Sequence, residues 1–196
     1  MMLIIGLILF GLGEALLIAS GAGVSPWTVF AQGFSKVTNW SIGLSTFTIS
    51  FFVLLFWVPL RQIPGVGTVL NIIIISLVLD LSAPYLPVFE TSAMRLAEAA
   101  LGVIITGFGG GIYLIANLGP GPRDGLMTGL QRQTGRPLAT VRSVIEISVV
   151  VLGWSLGGVV GLGTLMFAFG IGPCVATSML FLQFCFVDRS AHKHIK

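Results

Sequence analysis

The chain has 196 residues, of which 55% are hydrophobic and only 9% are charged, and its formal net charge at pH 7 is +3. Soluble domains carry roughly 25% charged residues, so this composition excludes a water-soluble globular protein and predicts an integral membrane protein. The small basic excess forms no stripe of the kind that binds nucleic acid. We therefore expect no nucleic-acid partner.

Six apolar segments, three in each half of the chain, have the length of a membrane-spanning helix. About 20 predominantly apolar residues cross the hydrocarbon core of a bilayer. In chain order, the predicted spans cover residues 3–20, 41–60, 65–83, 97–116, 138–156 and 160–187, and a polar joint over 83–94 separates the halves. The predicted fold class is an all-α membrane protein with about six transmembrane helices.

A shorter helix is predicted between the first and second spans of each half, over residues 25–38 and 122–134. Each follows a glycine-rich stretch and begins at a proline, Pro26 or Pro122, a residue favoured in the first turn of a helix. About thirteen helical residues reach only ~20 Å, whereas the hydrocarbon core measures ~30 Å. Two placements remain open: an amphipathic helix among the headgroups, or a broken, re-entrant helix that enters the protein interior.

The two halves repeat one pattern at an offset of 96 residues, without a gap. Pro26 coincides with Pro122 and Thr68 with Thr164, and seven glycines of the first half coincide with glycines of the second: Gly6 with Gly102, Gly11 with Gly107, Gly13 with Gly109, Gly23 with Gly119, Gly33 with Gly129, Gly65 with Gly161, and Gly67 with Gly163. We predict one membrane domain over 1–196, with repeat one over 1–86, repeat two over 97–187 and a short basic tail over 188–196. Since each repeat crosses the membrane three times, the repeats insert in opposite directions, an inverted topology typical of transporters.

Lysine and arginine residues are concentrated on one predicted side of the membrane. The other side carries only Lys36 and Arg95, whereas the side with both termini carries Arg61, Arg123, Arg132, Arg136, Arg142, Arg189, Lys193 and Lys196. Cytoplasmic loops are enriched in Lys and Arg. Both termini are therefore predicted to be cytoplasmic.

Three motifs carry a resemblance to a known family: Gly21-Ala-Gly-Val-Ser-Pro-Trp27, Ser41-Ile-Gly and Gly65-Val-Gly-Thr-Val-Leu-Asn71. They resemble bacterial integral membrane proteins of the YczE/YyaS/YitT type, over nearly the whole chain. The resemblance implies a small multi-pass protein of the cell inner membrane, of a kind described as a transporter without a settled substrate. Relatives commonly carry an acid after the Pro-Trp pair, where this chain has Thr28; the equivalent in repeat two is Asp124.

Acidic residues inside the predicted spans are candidates for proton coupling, since an ionisable group at the centre of a span costs at least ~2.5–3.5 kcal/mol on insertion scales. Glu14 lies past the middle of the first span and Glu146 near the middle of the fifth. The alternative for each is a neutral, hydrogen-bonded or paired carboxyl group, and for Glu146 the nearest partner is Arg142. Asp80 lies closer to the edge of its span, and we prefer a structural role for it.

The two glycine-rich breaks form the predicted solute site. A helix N-terminus presents free N–H donors and a partial positive charge, so two such ends that approach from opposite faces suit an anionic group. Ser25 is expected to cap the first short helix, and Asp124 could cap the second. The predicted substrate-binding residues are Gly23, Ser25, Pro26, Asn71, Gly119, Pro122, Arg123 and Asp124.

These features predict a secondary transporter for a small anionic or zwitterionic solute, with proton coupling through Glu14 or Glu146. The alternative is a non-transporting helper or scaffold that binds membrane lipid or a partner membrane protein, which glycine-lined helix faces also suit. The sequence has no recognisable nucleophile–base pair, phosphate loop or metal-ligand spacing, so we expect no catalytic residue, cofactor or metal. A monomer and a homodimer both remain open.

Overall fold

The computed structural model describes the backbone of residues 1–191 and the side chains of residues 1–184. Over these residues the chain is helical without a β-strand, which confirms the all-α membrane fold class. Of the predicted basic tail over 188–196, the backbone of residues 188–191 is part of the last helix, and residues 192–196 lie outside the described residues. The elements are α1 (Met2–Ser20), α2 (Pro26–Thr38), α3 (Ile42–Leu55), α4 (Val66–Ser82), a 3-10 turn (Ala83–Tyr85), α5 (Ser92–Ile115), α6 (Pro122–Thr134), α7 (Leu138–Ser155) and α8 (Leu162–Ala191).

Within the described residues, five helices are long and apolar enough to cross a membrane: α1, α4 with its 3-10 turn, α5, α7 and α8. A sixth crossing requires α2 and α3 to form one broken span, with a bend of 112° between them. The predicted span over 41–60 is too long, because the 14-residue α3 ends at Leu55. Pro59 explains this end, since the ring of a proline collides with the carbonyl group four residues earlier.

The two short helices begin and end within one residue of the predicted boundaries. α2 starts at Pro26 behind a buried Ser25, and α6 starts at Pro122 behind a buried Gly121. The opposite ends are exposed, and a left-handed residue ends each helix: Asn39 for α2 and Gly135 for α6. Each short helix therefore begins in the protein interior and ends at its surface.

Helices α1 and α5, which share the most extensive contact among the described helix pairs, meet along glycines. A Cβ atom added at Gly6 would lie 2.9 Å from the carbonyl oxygen of Gly109, and one added at Gly102 would lie 2.8 Å from the carbonyl oxygen of Gly13. Real Cβ atoms essentially never approach closer than 3.0 Å. The two contacts are equivalent under the sequence offset of 96, which relates Gly6 to Gly102 and Gly13 to Gly109. Both halves therefore use equivalent small residues to bring the helices together.

Backbone hydrogen bonds join the glycine-rich break of each half to the opposite half. The N–H of Gly67, at the start of α4, donates to the carbonyl oxygen of Leu118 over 2.7 Å. The N–H of Gly163, at the start of α8, donates to the carbonyl oxygen of Ala22 over 2.8 Å. These two bonds are also related by the offset of 96.

Gly23 and Gly119 fix the shape of the two breaks. Their φ angles of +113° and +117° lie in the left-handed region that favours glycine. A Cβ atom at Gly23 would meet the backbone of Gly161, and one at Gly119 would meet that of Gly65. Both glycines are therefore needed where the chain leaves a helix and passes close to the other half.

Candidate functional site

A cavity of about 380 Å³ lies where α2 and α6 begin, and we call it the central cavity. Six of the eight predicted solute-site residues line it: Ser25, Pro26, Asn71, Pro122, Arg123 and Asp124. Gly23 and Gly119 do not, because each packs against the opposite half of the chain. Further polar lining comes from Thr46, Ser50, Tyr113, Arg142 and Glu146.

Glu14 reaches the start of α2 from the neighbouring helix α1. Its Oε2 atom accepts hydrogen bonds from the hydroxyl groups of Ser25, over 2.8 Å, and Thr28, over 2.6 Å. Glu14 is only 1% exposed, and its Oε1 atom has no hydrogen-bond partner among the described residues. Ser25 therefore bonds to Glu14 instead of capping α2 with its side chain, contrary to the sequence expectation.

Asp124 occupies the equivalent region of α6, in its first turn. The hydroxyl group of Tyr113 donates to its Oδ2 atom over 2.8 Å, and the part of the chain that the structure describes provides no backbone N–H to it. The expected capping role is therefore not observed. Both short helices nevertheless begin beside a carboxyl group, which Glu14 supplies from another helix for α2 and Asp124 supplies from within α6.

Arg123 lies in the central cavity, although the sequence analysis counted it among the charges of the cytoplasmic surface. Its guanidinium carbon lies 5.4 Å from the ring centroid of Trp27, a cation–π arrangement. The two residues occupy equivalent positions in the two repeats. Arg123 makes no hydrogen bond to the described residues, and no described carboxylate lies within 4.0 Å of it. Its N–H donors therefore remain available to a ligand.

An ion pair forms another wall of the central cavity. Arg142 Nε donates to Glu146 Oε1 over 2.8 Å, one helical turn along α7. The side chains are 45% and 19% exposed. The equivalent positions of repeat one, Thr46 and Ser50, line the cavity as well. Glu146 thus has the arginine partner that the sequence offered as its alternative role.

Gly121 keeps space open at the start of α6. A Cβ atom there would lie 3.3 Å from both Asn71 Nδ2 and Asp124 Oδ2, which is a tight contact. Asn71 lines the central cavity and makes no side-chain hydrogen bond to the described residues. An amide and a carboxylate therefore flank the first turn of α6, and both can contact a polar solute.

Asp80 stabilises the start of α3 and lies away from the central cavity. Its Oδ2 atom accepts a hydrogen bond from the hydroxyl group of Ser41, over 2.6 Å, and its Oδ1 atom accepts one from the N–H of Gly43, over 2.8 Å. Acceptors at a helix N-terminus satisfy N–H groups that lack an intrahelical partner. This geometry agrees with the structural role preferred from the sequence.

Trp57 and Glu98 are among the buried polar side chains that the sequence analysis missed. Trp57 lies in the turn after α3, and its Nε1–H donates to the carbonyl oxygen of Pro122 over 3.0 Å, which holds the first residue of α6. Glu98 of α5 is buried, and neither carboxylate oxygen has a partner among the described residues. Its place in the predicted span over 97–116 was a signal that could have identified it.

Comparisons with known proteins agree with this membrane architecture. Residues 1–179 match the family described as "Family of unknown function (DUF6198)". An uncharacterized protein of Haemophilus influenzae is 45% identical over 173 residues, which cover 88% of this chain and 79% of that protein. The uncharacterized membrane protein YczE of Bacillus subtilis is 33% identical over 180 residues, which cover 89% of this chain and 82% of YczE.

A more distant relative, the uncharacterized protein YyaS of Bacillus subtilis, is 27% identical over 169 residues, which cover 83% of each chain. No solved structure matches the chain. The family resemblance expected from the glycine and proline motifs is confirmed. The chain belongs to the DUF6198 family and is a multi-pass integral membrane protein of the YczE type.

Proposed function

We propose that the protein is a secondary transporter that moves a small anionic or zwitterionic solute across the bacterial inner membrane. The observation that carries this proposal is the position of Arg123, which lies in a cavity where two short helices begin and has no described carboxylate within 4.0 Å. The carboxylates of Glu14, Asp124 and Glu146 act on Arg123 only from longer distances. A helix N-terminus carries roughly half a positive charge. Two such ends and a guanidinium group together favour a carboxylate, sulfonate or phosphate.

The acidic residues of the central cavity extend the proposal to zwitterions. Asp124 and Glu146 line the same space as Arg123. An ammonium group could bind to either carboxylate while the acidic group of the same molecule binds to Arg123. Arg142 already pairs with Glu146, so Asp124 is the more available partner for such an ammonium group.

The proposed mechanism of transport depends on two inverted repeats that move against each other around the central cavity. The reciprocal hydrogen bonds of Gly67 and Gly163 lie where the two repeats meet, and the proposed movement must break or rearrange them. We propose that both termini are cytoplasmic, as the excess of arginine on that side favours. Alternating access would then expose the start of α2 on one side and the start of α6 on the other.

Proton coupling, within this proposal, uses Glu14 or Glu146. Glu14 is buried beside two hydroxyl groups without a cation within 4.0 Å. The charge of Arg123 acts on Glu14 only from a longer distance. A buried carboxylate without a directly paired cation is costly, so this group can take up a proton and release it when the repeats move. Glu146 forms an ion pair with Arg142. A bound anionic solute can compete with Glu146 for Arg142, and Glu146 can then take up a proton.

The proposal is tested with purified protein in liposomes that contain a pH-sensitive dye. A panel of anions, amino acids and cationic drugs is added under an imposed proton gradient. We expect an anion or a zwitterion to produce a pH change that depends on the protein. If only cationic drugs respond, the assignment of substrate charge is wrong. If no solute responds and the protein is folded, the helper or scaffold function replaces the transporter.

Matched arginine variants of α6 make the test specific to the central cavity. Arg123→Gln should weaken solute binding by roughly tenfold to a hundredfold, since a hydrogen bond to a charged group contributes about 1.5–3 kcal/mol. Arg132→Gln changes the same residue type on the exposed last turn of α6 and should bind solute as the unmodified protein does. Equal affinities for the two variants would contradict the proposed site.

Glutamate variants test the coupling separately from binding. Glu14→Gln should retain solute binding and lose the pH change, because the amide keeps the size of the side chain but cannot carry the proton. Glu146→Gln is the second candidate and is measured in the same way. If solute still moves protons in both variants, coupling through these two residues is refuted, and uncoupled uptake of radiolabelled solute would still support transport.

A further inference from the structure

A second cavity of about 510 Å³ lies beside the central cavity, between α3 and α7, and we call it the side groove. Its lining is aromatic and aliphatic, contains no charged side chain, and includes hydroxyl groups only at Thr48 and Ser148. Trp27, Phe30 and Phe34 of α2 form its floor, and α3 and α7 flank that floor. The chemistry of this lining suits a hydrocarbon chain.

The mouth of the side groove consists of exposed apolar side chains. Phe52 is 55% exposed, Phe56 is 61% exposed and Val144 is 59% exposed. Side chains of this type on a transmembrane bundle contact lipid. The side groove is therefore open to the acyl chains of the bilayer, and a molecule can enter it from the membrane without crossing water.

Trp27 connects the two cavities, since its side chain lines both of them. Arg123 stacks on this tryptophan and lines the central cavity alone. The site thus presents a guanidinium group and two helix N-termini in the central cavity, and an uncharged groove that shares the side chain of Trp27 with this cavity. A small hydrophilic anion would use only the first of these two parts.

We propose that the substrate is a single-chain anionic amphiphile that enters from the bilayer, with its acidic headgroup on Arg123 and its hydrocarbon chain in the side groove. This inference rests on the proposed transport function and names the substrate class of the same site. The positive charge of Arg123 determines that the headgroup is acidic. The contact of Trp27 with both cavities places the hydrocarbon chain in the side groove.

The test uses a photoactivatable palmitic acid with a diazirine group in the middle of its chain. The full-length protein is placed in lipid nanodiscs, illuminated and digested, and the labelled residues are mapped by mass spectrometry. We expect the label on α3, α7 and α2 around the side groove. Excess dodecanoate should displace it, whereas dodecanol, which lacks the charge, and butanoate, which lacks the chain, should compete at least tenfold less well.

Two valines of α7 provide matched variants. Val144 lies at the mouth of the side groove and is 59% exposed, and Val151 lies outside its lining and is 55% exposed. Val144→Phe should reduce labelling of the side groove at least fivefold, whereas Val151→Phe should leave it unchanged. Since both valines are exposed, neither change disrupts the packed interior. Equal labelling of the two variants, or label spread evenly over the lipid-facing helices, overturns the inference.

The same preparation separates this inference from the proposed function. If Val144→Phe leaves the labelling of the side groove unchanged while Arg123→Gln still abolishes uptake of a short anion, the proposed amphiphile substrate is wrong and the proposed transport function is supported. If labelling of the side groove depends on Val144 and Arg123 but no solute is taken up, the amphiphile site is supported and transport is refuted. If Arg123→Gln changes neither labelling nor uptake, both proposals fail.

Discussion

Replacement of Gly13 by alanine tests whether the glycine contacts between α1 and α5 determine the stability of the fold. A Cβ atom at Gly13 would collide with the hydroxyl oxygen of Thr106, and it would lie 2.5 Å from the backbone nitrogen of Thr106 and 2.6 Å from the carbonyl oxygen of Gly102, whereas ordinary van der Waals contact begins at 3.4 Å. The two helices must therefore separate locally by about 0.9 Å. Overpacking of this kind typically costs about 1–3 kcal/mol.

Gly172→Ala is the matched control for this change. Gly172 also lies inside a helix, α8, and an added Cβ atom there meets nothing within 4 Å. Alanine is favoured over glycine in a helix by about 1 kcal/mol. Pro173 reduces this gain in the control, because a proline disfavours the helical conformation of a preceding residue that carries a Cβ atom. The free energies of unfolding should therefore differ by no more than about 1–3 kcal/mol, which is the cost of the contact at Gly13.

The assay is thermal unfolding in detergent, followed by size-exclusion chromatography of the remaining folded protein. Gly13→Ala should unfold at a lower temperature than Gly172→Ala. The double variant Gly13→Ala/Gly102→Ala should lose less stability than the sum of its single changes. The first methyl group already imposes the separation of the helices that the second methyl group requires. If Gly13→Ala is as stable as Gly172→Ala, the close approach of α1 and α5 does not determine the stability of the fold.

Three further changes have expected outcomes in the same unfolding assay. Trp57→Phe removes the hydrogen bond to the carbonyl group of Pro122 and should lower the free energy of unfolding by about 1–3 kcal/mol; an unchanged value would contradict the role of this bond. Asp80→Ala removes the acceptor for the N–H of Gly43 and should cost about 1 kcal/mol, with a larger loss at low salt. Glu146→Gln breaks a partly exposed pair and should cost no more than about 0.5 kcal/mol; a larger loss would mean that the pair is structural.

The short helices could be predicted because their signals are local. Pro26 and Pro122 mark the first turns, and the glycine-rich stretches before them end the preceding helices. The end of α3 was missed because an apolar run continues through Phe56 and Trp57, and hydropathy does not record the collision between Pro59 and the carbonyl group of Leu55. A backbone constraint here overrides composition.

Much of the lining of the central cavity could be predicted from the repeated sequence pattern, which indicated that two breaks approach each other from opposite halves of the chain. The partners of the individual polar groups did not follow. Glu14 bonds to Ser25 and Thr28 across two helices, and Tyr113 bonds to Asp124 in the same way. Such pairs depend on how helices rotate against each other, and residue spacing within one helix contains no information on that rotation.

The reciprocal hydrogen bonds between the repeats have a consequence for the order of synthesis. The carbonyl group of Ala22 leaves the ribosome long before its hydrogen-bond donor, the N–H of Gly163, has been made. Until then the first half is held in the membrane with an unpaired acceptor at its break, a state that lipid cannot satisfy. The two halves must therefore complete each other's backbone hydrogen bonds after both have been inserted.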